Sequence, residues 1–291
     1  MSVPGERAAT DGLAVVQHEA IGDEDAAGFA ALVNLVAAGS GFRCQSYKER
    51  CLRRRIAVRM RARGVHSFAS YARLLDGDEA EWERLLDALT INVTKFFRNT
   101  EAYESLARNI IPYLWQRDAT GIQVWSAGCA SGEEPYSIAT LFVAHAAAMG
   151  QVGRIDRVSV LGTDIDRESL RTAELGRYPE SAFADTPPAL RDRYFSTGFP
   201  AQVAPEVRAR VRFQKHDLLN QPAPSEPCHL IVCRNVLIYF DREAQERLFA
   251  LFREHLLPGG VLFLGKVETL LGDSRRGFVA VDARERIFRR I

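Results

Sequence analysis

The chain has 291 residues, 47% of them hydrophobic and 26% charged, with a net charge of +1. That length holds one large domain or two modest ones, and the composition excludes a disordered chain. No apolar run reaches the roughly 20 residues that span a bilayer. Five cysteines, odd in number and never in a CxxC pair, point to a reducing compartment and away from structural zinc.

Residues 1–20 are small and polar with no apolar core of a signal peptide, and read as a flexible leader. Residues 21–90 follow a helical period. Phe29, Leu32, Val33 and Val36 mark one buried helix face, and Leu52, Ile56 and Met60 a second. Arg50, Arg54 and Arg61 take the far side of that second helix. Gly64 stops it, Ser67 caps a third helix, and "DEAEWERLLDALT" reads as a fourth. Between Arg43 and Arg63 nine Lys/Arg face one acid, Glu49, so the second helix is basic on a nearly neutral protein.

Residues 91–120 read as a linker and bridging helix. "LTINVTKFFRNTEAY" offers Phe96 and Phe97 to a core; Asn92 and Thr94 suit a turn cap, and Arg98 starts a helix at a solvated position. From 121 to 291 apolar strand candidates alternate with helices: "IQVWSA", "RVSVLGTD", "VRFQKHD", "HLIVCRN" and "GVLFLG". Short apolar strands separated by helices predict a parallel sheet covered on both faces. "GFVAVDARERIFRRI" instead predicts an antiparallel hairpin closing the sheet. This α/β layout, behind an all-helical N-terminal domain, matches Rossmann-like methyltransferases, although periodicity alone fits other doubly wound folds. Residues 178–212, with five prolines, form an accessory insertion holding a short helix and a small hairpin.

Ligands of such sheets bind beyond the carboxyl ends of the strands. The first such turn, "SAGCASGEEPYS", leads into a helix predicted from Pro135 and has the small residues of a phosphate cradle, but carries Glu133 and Glu134 where the phosphate would sit. Two unit charges about 4 Å apart interact by about 4 kcal/mol at an effective dielectric of 20. A carboxylate there repels a pyrophosphate and attracts a sulfonium bearing an ammonium group. S-adenosylmethionine is therefore favoured over a dinucleotide, unless both acids only complement the helix dipole. At the second strand end, in "GTDID", Asp164 suits ribose hydroxyls or a local bond, and Asp166 a helix cap. Arg234, Asn235 and Tyr239 follow the fourth strand in "VCRNVLIYFD", where this fold places an acceptor. The D/N-P-P-Y/F run of base amino-methylation is absent, and Pro227-Cys228 precedes its strand, the wrong side for a nucleophile.

Taken together, "LTINVTKFFR", "VWSAGCASGEEPYSIA", "GTDID" and "VCRNVLIYFD" resemble, in order and spacing, the CheR family of chemoreceptor glutamate O-methyltransferases. The likeness covers the chain from about Phe29. It implies S-adenosylmethionine as cofactor, glutamates on the cytoplasmic methylation helices of receptors as substrate, and action in the cytoplasm at receptor arrays. The implied cofactor pocket is Asn92, Thr94, Arg98, Glu133, Asp164, Asp217, Leu218, Arg234 and Asn235, with Arg98 and Tyr239 beside the transferred methyl. The basic helix, through Arg53, Arg54 and Arg59, then steers acidic methylation helices. No metal is implied. "GKVE" stands where the family has a His-Ser pair, so Lys266 and Val267 depart from the pattern. Family members that dock a receptor tail peptide carry a glycine-containing extension after "YF"; the compact "YFSTGFPAQV" here predicts none. The rival readings are a nucleic-acid methyltransferase, disfavoured by near-neutral charge, and a non-catalytic receptor-binding protein of the same fold.

Overall fold

The computed structural model describes residues 23–291 apart from 41, 43, 90–93, 118–119 and 225. The predicted leader at 1–20 and Asn92 lie outside the described residues.

Four helices open the chain: α1 (Asp23–Ser40), α2 (Glu49–Ala62), α3 (Phe68–Leu75) and α4 (Glu79–Leu89). Phe29, Leu32, Val33 and Val36 of α1 meet Leu52, Ile56 and Met60 of α2 in one apolar core with Tyr71, Leu85 and Leu89. Each such side chain contributes roughly 1.5–3 kcal/mol when fully buried. Ser67 caps α3 by accepting from the Ser70 amide at 3.2 Å. One acid sits in this core. Glu81 is fully buried, receives both Arg59 nitrogens (3.0 and 2.7 Å), Arg63 Nη1 (3.0 Å) and the Tyr71 hydroxyl (2.7 Å). Burial pushes its pKa up, but those hydrogen bonds outweigh it and hold the carboxyl at about 2.

The bridge is a helix with a π turn in its middle: α5 (Thr100–Ser105), Leu106–Ile110, then α6 (Ile111–Arg117). Beyond it run β1 (Ile122–Ala127), α7 (Glu133–Ala148), β2 (Val158–Asp164) and α8 (Arg167–Leu175). The insertion holds β3 (Arg177–Tyr178), α9 (Pro188–Tyr194), β4 (Ala201–Gln202) and α10 (Pro205–Arg208). Its antiparallel pair is only two residues long on each side. Then follow β5 (Val211–Lys215), β6 (Cys228–Cys233), α11 (Arg242–His255), β7 (Leu256–Leu264), β8 (Phe278–Asp282) and β9 (Ile287–Arg290).

The main sheet has the order β5-β2-β1-β6-β7-β9-β8, with β5 to β7 parallel and the β8–β9 hairpin antiparallel. Period-two alternation explains why both faces are covered. Val124, Leu230, Val232 and Phe263 face a core with Ile138 and Phe142 of α7. Their neighbours Trp125, Ile231, Cys233 and Leu264 face the other, with Leu248, Phe249 and Phe252 of α11. The chain leaves β1 toward β2 and returns to add β6 on the opposite side, so the order reverses at β1, the switch point where such sheets bind ligands.

Two local expectations shift. Helix α7 begins at Glu133 rather than Pro135, which puts both glutamates in its first turn. Arg98 is not helical: it lies one residue before Asn99, the N-cap of α5.

Candidate functional site

A cleft opens at the carboxyl ends of β1, β2, β5 and β6, where sheets of this kind bind their ligands. Thr94, Arg98, Asp164, Asp217, Leu218, Arg234, Asn235 and Tyr239 all line it. Residues from four separate stretches thus converge on one space. Glu133 instead lines an adjoining cavity, which shares Thr94, Lys95 and Arg98 with the first, while its neighbour Glu134 lines the main cleft.

The turn after β1 is stitched to β2. The Gly128 and Cys129 amides donate to the Thr163 carbonyl at 2.8 and 2.9 Å, and the Ala130 amide donates to Asp164 Oδ2 at 2.8 Å. Gly128 has φ +80, and a Cβ there would lie 2.5 Å from Val236 Cγ2. Only glycine lets the β1 turn approach the β6 loop this closely. Asp164 also accepts from the Asp166 amide at 3.0 Å, and burial raises its pKa against these bonds. Asp166 caps α8 through the Glu168 amide.

The two glutamates differ in kind. Glu133 Oε2 accepts from the Ser131 hydroxyl at 2.7 Å, and burial raises its pKa. Glu134 accepts from the Ser126 hydroxyl at 2.8 Å and is pushed up to about 7 by burial, against the pull of Arg234. An acid so poorly stabilised as an anion gains from a cation beside it.

Arg98 is held by its backbone. Phe97 and Asn99 on either side have φ +53 and +62, a left-handed conformation that costs non-glycine residues energy. Three bonds keep the turn: the Phe97 amide to Ser137 Oγ (3.0 Å), the Asn99 amide to Asp185 Oδ2 (3.1 Å), and Arg234 Nη1 to the Arg98 carbonyl (2.9 Å). Asp185 belongs to the insertion and also pairs with Lys95 at 2.7 Å. Arg234, 4.6 Å above the Phe263 ring, therefore positions the Arg98 turn as well as lining the cleft.

The helical domain supplies the remaining wall. The Lys48 amide donates to the Tyr239 carbonyl (2.8 Å), the Asp241 amide to the Ser46 carbonyl (2.9 Å), and the Tyr47 ring meets Phe240 at 4.9 Å. Tyr47 and Arg55 both line the cleft. The Arg55 guanidinium lies 4.5 Å over the Tyr239 ring, is 7% exposed, and spends one nitrogen on the Leu89 carbonyl. Its Nε and Nη2 are buried with no hydrogen-bond partner among the described residues. Burial lowers its pKa. Sequence reading missed Arg55 and left Glu134 without a role. The signal for Arg55 was present: it lies three residues after Leu52 and one before Ile56, so the apolar face of α2 carries a cation.

The three arginines expected to touch substrate separate. Arg59 is committed to Glu81. Arg53 donates to Glu49 at 2.6 Å and its guanidinium stacks 4.0 Å over Phe29. Arg54 is exposed, as are Arg50 and Arg61. Arg59 is therefore a structural cation, and the spare positive surface of α2 rests on its neighbours.

The residues present fit a nucleoside cofactor with a cationic tail. Asn235 Oδ1 is buried in the cleft wall with no hydrogen-bond partner among the described residues, an acceptor awaiting a donor. Asp164, Asp217 and Glu134 supply acceptors for hydroxyl and ammonium groups. No His/Cys/Asp/Glu group capable of holding a metal occurs among the described residues, and none of their helices is long and apolar enough to cross a membrane.

Comparison with known proteins meets this geometry. Residues 92–287 match the profile of the CheR methyltransferase SAM binding domain, and residues 27–90 that of the CheR methyltransferase all-alpha domain. An uncharacterized 104.1 kDa protein of Rhodobacter capsulatus is 35% identical over 96% of this chain; the chain spans 29% of its length. A chemotaxis protein methyltransferase of Klebsiella aerogenes is 36% identical over 85% of this chain and 84% of its own. One of Listeria monocytogenes is 32% identical over 81% and 87%.

Proposed function

The chain belongs to the CheR methyltransferase family, and we propose that it transfers methyl groups to glutamate side chains on the methylation helices of chemoreceptors, at the cytoplasmic side of receptor arrays. Its S-adenosylmethionine-binding domain follows from the family itself. The observation that carries the carboxylate reading is Arg55. It is a buried cation whose Nε and Nη2 lack hydrogen-bond partners among the described residues, stacked on Tyr239 in the wall of the cleft. Leaving such a group unmatched is costly, and an incoming carboxylate matches it.

Bound S-adenosylmethionine supplies an electrophilic methyl group. Glutamate titrates near about 4.3 and is already a nucleophile at neutral pH. No general base is required, which agrees with a cleft whose only imidazole among the described residues, His216, has its pKa lowered by burial and donates from Nε2 to the Pro222 carbonyl. The chain's task is alignment. Arg98 and Arg55 balance and orient the acceptor carboxylate, and the Tyr239 hydroxyl sets its distance. Asp164, Asp217, Leu218 and Asn235 hold the cofactor, with Thr94 beside them. Glu134 rather than Glu133 is the acid nearest its cationic end on this reading, since Glu134 lines the main cleft. Exposed Arg50, Arg54 and Arg61 steer the acidic helix in.

The test is incubation with methyl-labelled S-adenosylmethionine and either receptor membranes or RNA. Base-labile label on a receptor is the expected result, because methyl esters hydrolyse in mild alkali. Alkali-stable label on RNA would move the protein to another substrate class, and no label on either would make it a binding protein.

A further inference from the structure

Beyond the cleft walls, one buried acid lies under the loop that carries two of the site residues. Glu268 is 4% exposed and follows Lys266 and Val267, both of which face solvent. Its Oε2 accepts from the Gly265 amide (2.6 Å) and the Asn235 amide (3.0 Å), and its Oε1 from the Ile238 amide (3.3 Å). Three main-chain donors from two segments therefore converge on one carboxylate. One segment is the end of β7, the other the whole Asn235–Tyr239 loop after β6.

We infer that Glu268 is a positioning residue for methyl transfer: its carboxylate fixes the loop that presents Asn235 to the cofactor and Tyr239 to the acceptor. The inference rests on the site reading above. Asn235 has φ +62, a conformation that needs outside support in a residue with a side chain. Its amide bond to Glu268 supplies it. Three residues on, the Ile238 amide is tied to the same carboxylate, and the Ile238 carbonyl takes Lys48 Nζ at 2.8 Å. Tyr239 is thus fixed from below by Glu268 and from above by α2. Packing is equally specific: a Cβ on Gly265 would lie 2.7 Å from Glu268 Oε2 and 2.8 Å from the Asn235 amide. Burial raises the Glu268 pKa above the ordinary carboxylate value, against the pull of the backbone amides.

Glu268→Gln separates shape from charge. The amide fills the same space but offers one acceptor oxygen and turns an NH2 toward amides that also donate. The expected result is a folded protein whose kcat at saturating S-adenosylmethionine and receptor falls about tenfold to a hundredfold. Its calorimetric affinity for S-adenosylhomocysteine falls with it, and its KM for receptor stays put. Glu268→Ala should do no worse than Gln. Gly265→Ala keeps the acid but pries the loop from it, and should reproduce the same split; it also decides the matter if the Gln protein does not fold. Wild-type kcat and product affinity in either folded variant would overturn the inference. Tyr239→Phe and Asn235→Ala, assayed in parallel, keep the two readings apart. If they are impaired while the Glu268 and Gly265 variants are not, the lock fails and the site stands.

Discussion

Two buried carboxylates divide this molecule. Glu81, inside the helical domain, is met by Arg59, Arg63 and Tyr71 and is held at about 2. Glu134, at the mouth of α7, has one hydroxyl bond and a more distant arginine, and is pushed up to about 7. Burial acts on both in the same direction; the partners decide the outcome. Arginines follow the same division. Arg59 is satisfied by Glu81, whereas Arg55, one turn earlier on the same helix, reaches the cleft with two nitrogens that have no hydrogen-bond partner among the described residues. Where the fold needs only stability, charge is matched within the chain. Where it must receive a cationic cofactor and an anionic acceptor, charge is left for the ligand to match.

The largest effects should come from removing the cleft arginines. Arg98→Ala and Arg55→Leu are each expected to lower receptor methylation about a hundredfold. Binding of S-adenosylhomocysteine should survive in Arg55→Leu, and its thermal midpoint should hold or rise, because a buried cation has been replaced by an apolar side chain. Near-normal turnover with either variant would remove the acceptor-side assignment. Tyr239→Phe should cost less, about tenfold, in kcat.

The matched acid should behave in the opposite way. Glu81→Gln leaves Arg59 and Arg63 without their buried partner and should cost about 3–5 kcal/mol of helical-domain stability at neutral pH. Its folded pKa lies below the ordinary value, so its contribution is complete above about pH 4.3 and is lost as pH falls toward about 2. Acid unfolding of the wild type should steepen in that window, and the variant should flatten there. Identical acid profiles would show that the buried network contributes nothing.

Glu134 sharpens the contrast. With a folded pKa near 7 against an ordinary value of about 4.3, the folded state keeps a proton that the unfolded chain has lost between those limits. Cofactor-free stability should therefore decline as pH rises from about 4.3 to about 7. Glu134→Gln should abolish that decline and raise the thermal midpoint at pH 8, while weakening S-adenosylhomocysteine binding about tenfold, or about 1.4 kcal/mol. A variant both less stable and unchanged in affinity would reverse the assignment.

How much of this was legible beforehand depends on whether a feature is local or assembled. Periodicity placed Phe29, Leu32, Leu52 and Ile56 on faces that do pack together, because a helix buries whatever recurs at its own period. The mostly parallel sheet needed only short apolar runs and a closing hairpin. The turn acids were visible as charge in the wrong place for a phosphate, but which of the two lines the main cleft depended on α7 starting two residues early, a boundary no propensity resolves. Arg59 and Arg55 were equally basic in the sequence. Only the fold of α4 brings Glu81 under one and leaves the other above Tyr239. Glu268 was hidden for a similar reason: its partners are main-chain amides, which leave no mark in side-chain patterns.

The weakest expected effect concerns the outer face of α2. Arg54, with Arg50 and Arg61, is exposed, and exposed cations guide encounter more than they hold a complex. Reversing Arg50 and Arg54 to Glu, while leaving Arg53 on Phe29 and Arg59 on Glu81, should preserve the thermal midpoint and kcat. It should lower kcat/KM on receptor membranes several-fold at low salt, with the gap narrowing as salt approaches about 1 M, where screening shortens to about 3 Å. A second series with Arg59→Glu should instead lose stability first. If Arg50/Arg54 reversal leaves kcat/KM unchanged at low salt, the outer face of α2 is a solvated surface and the positive charge that matters to substrate is Arg55 alone.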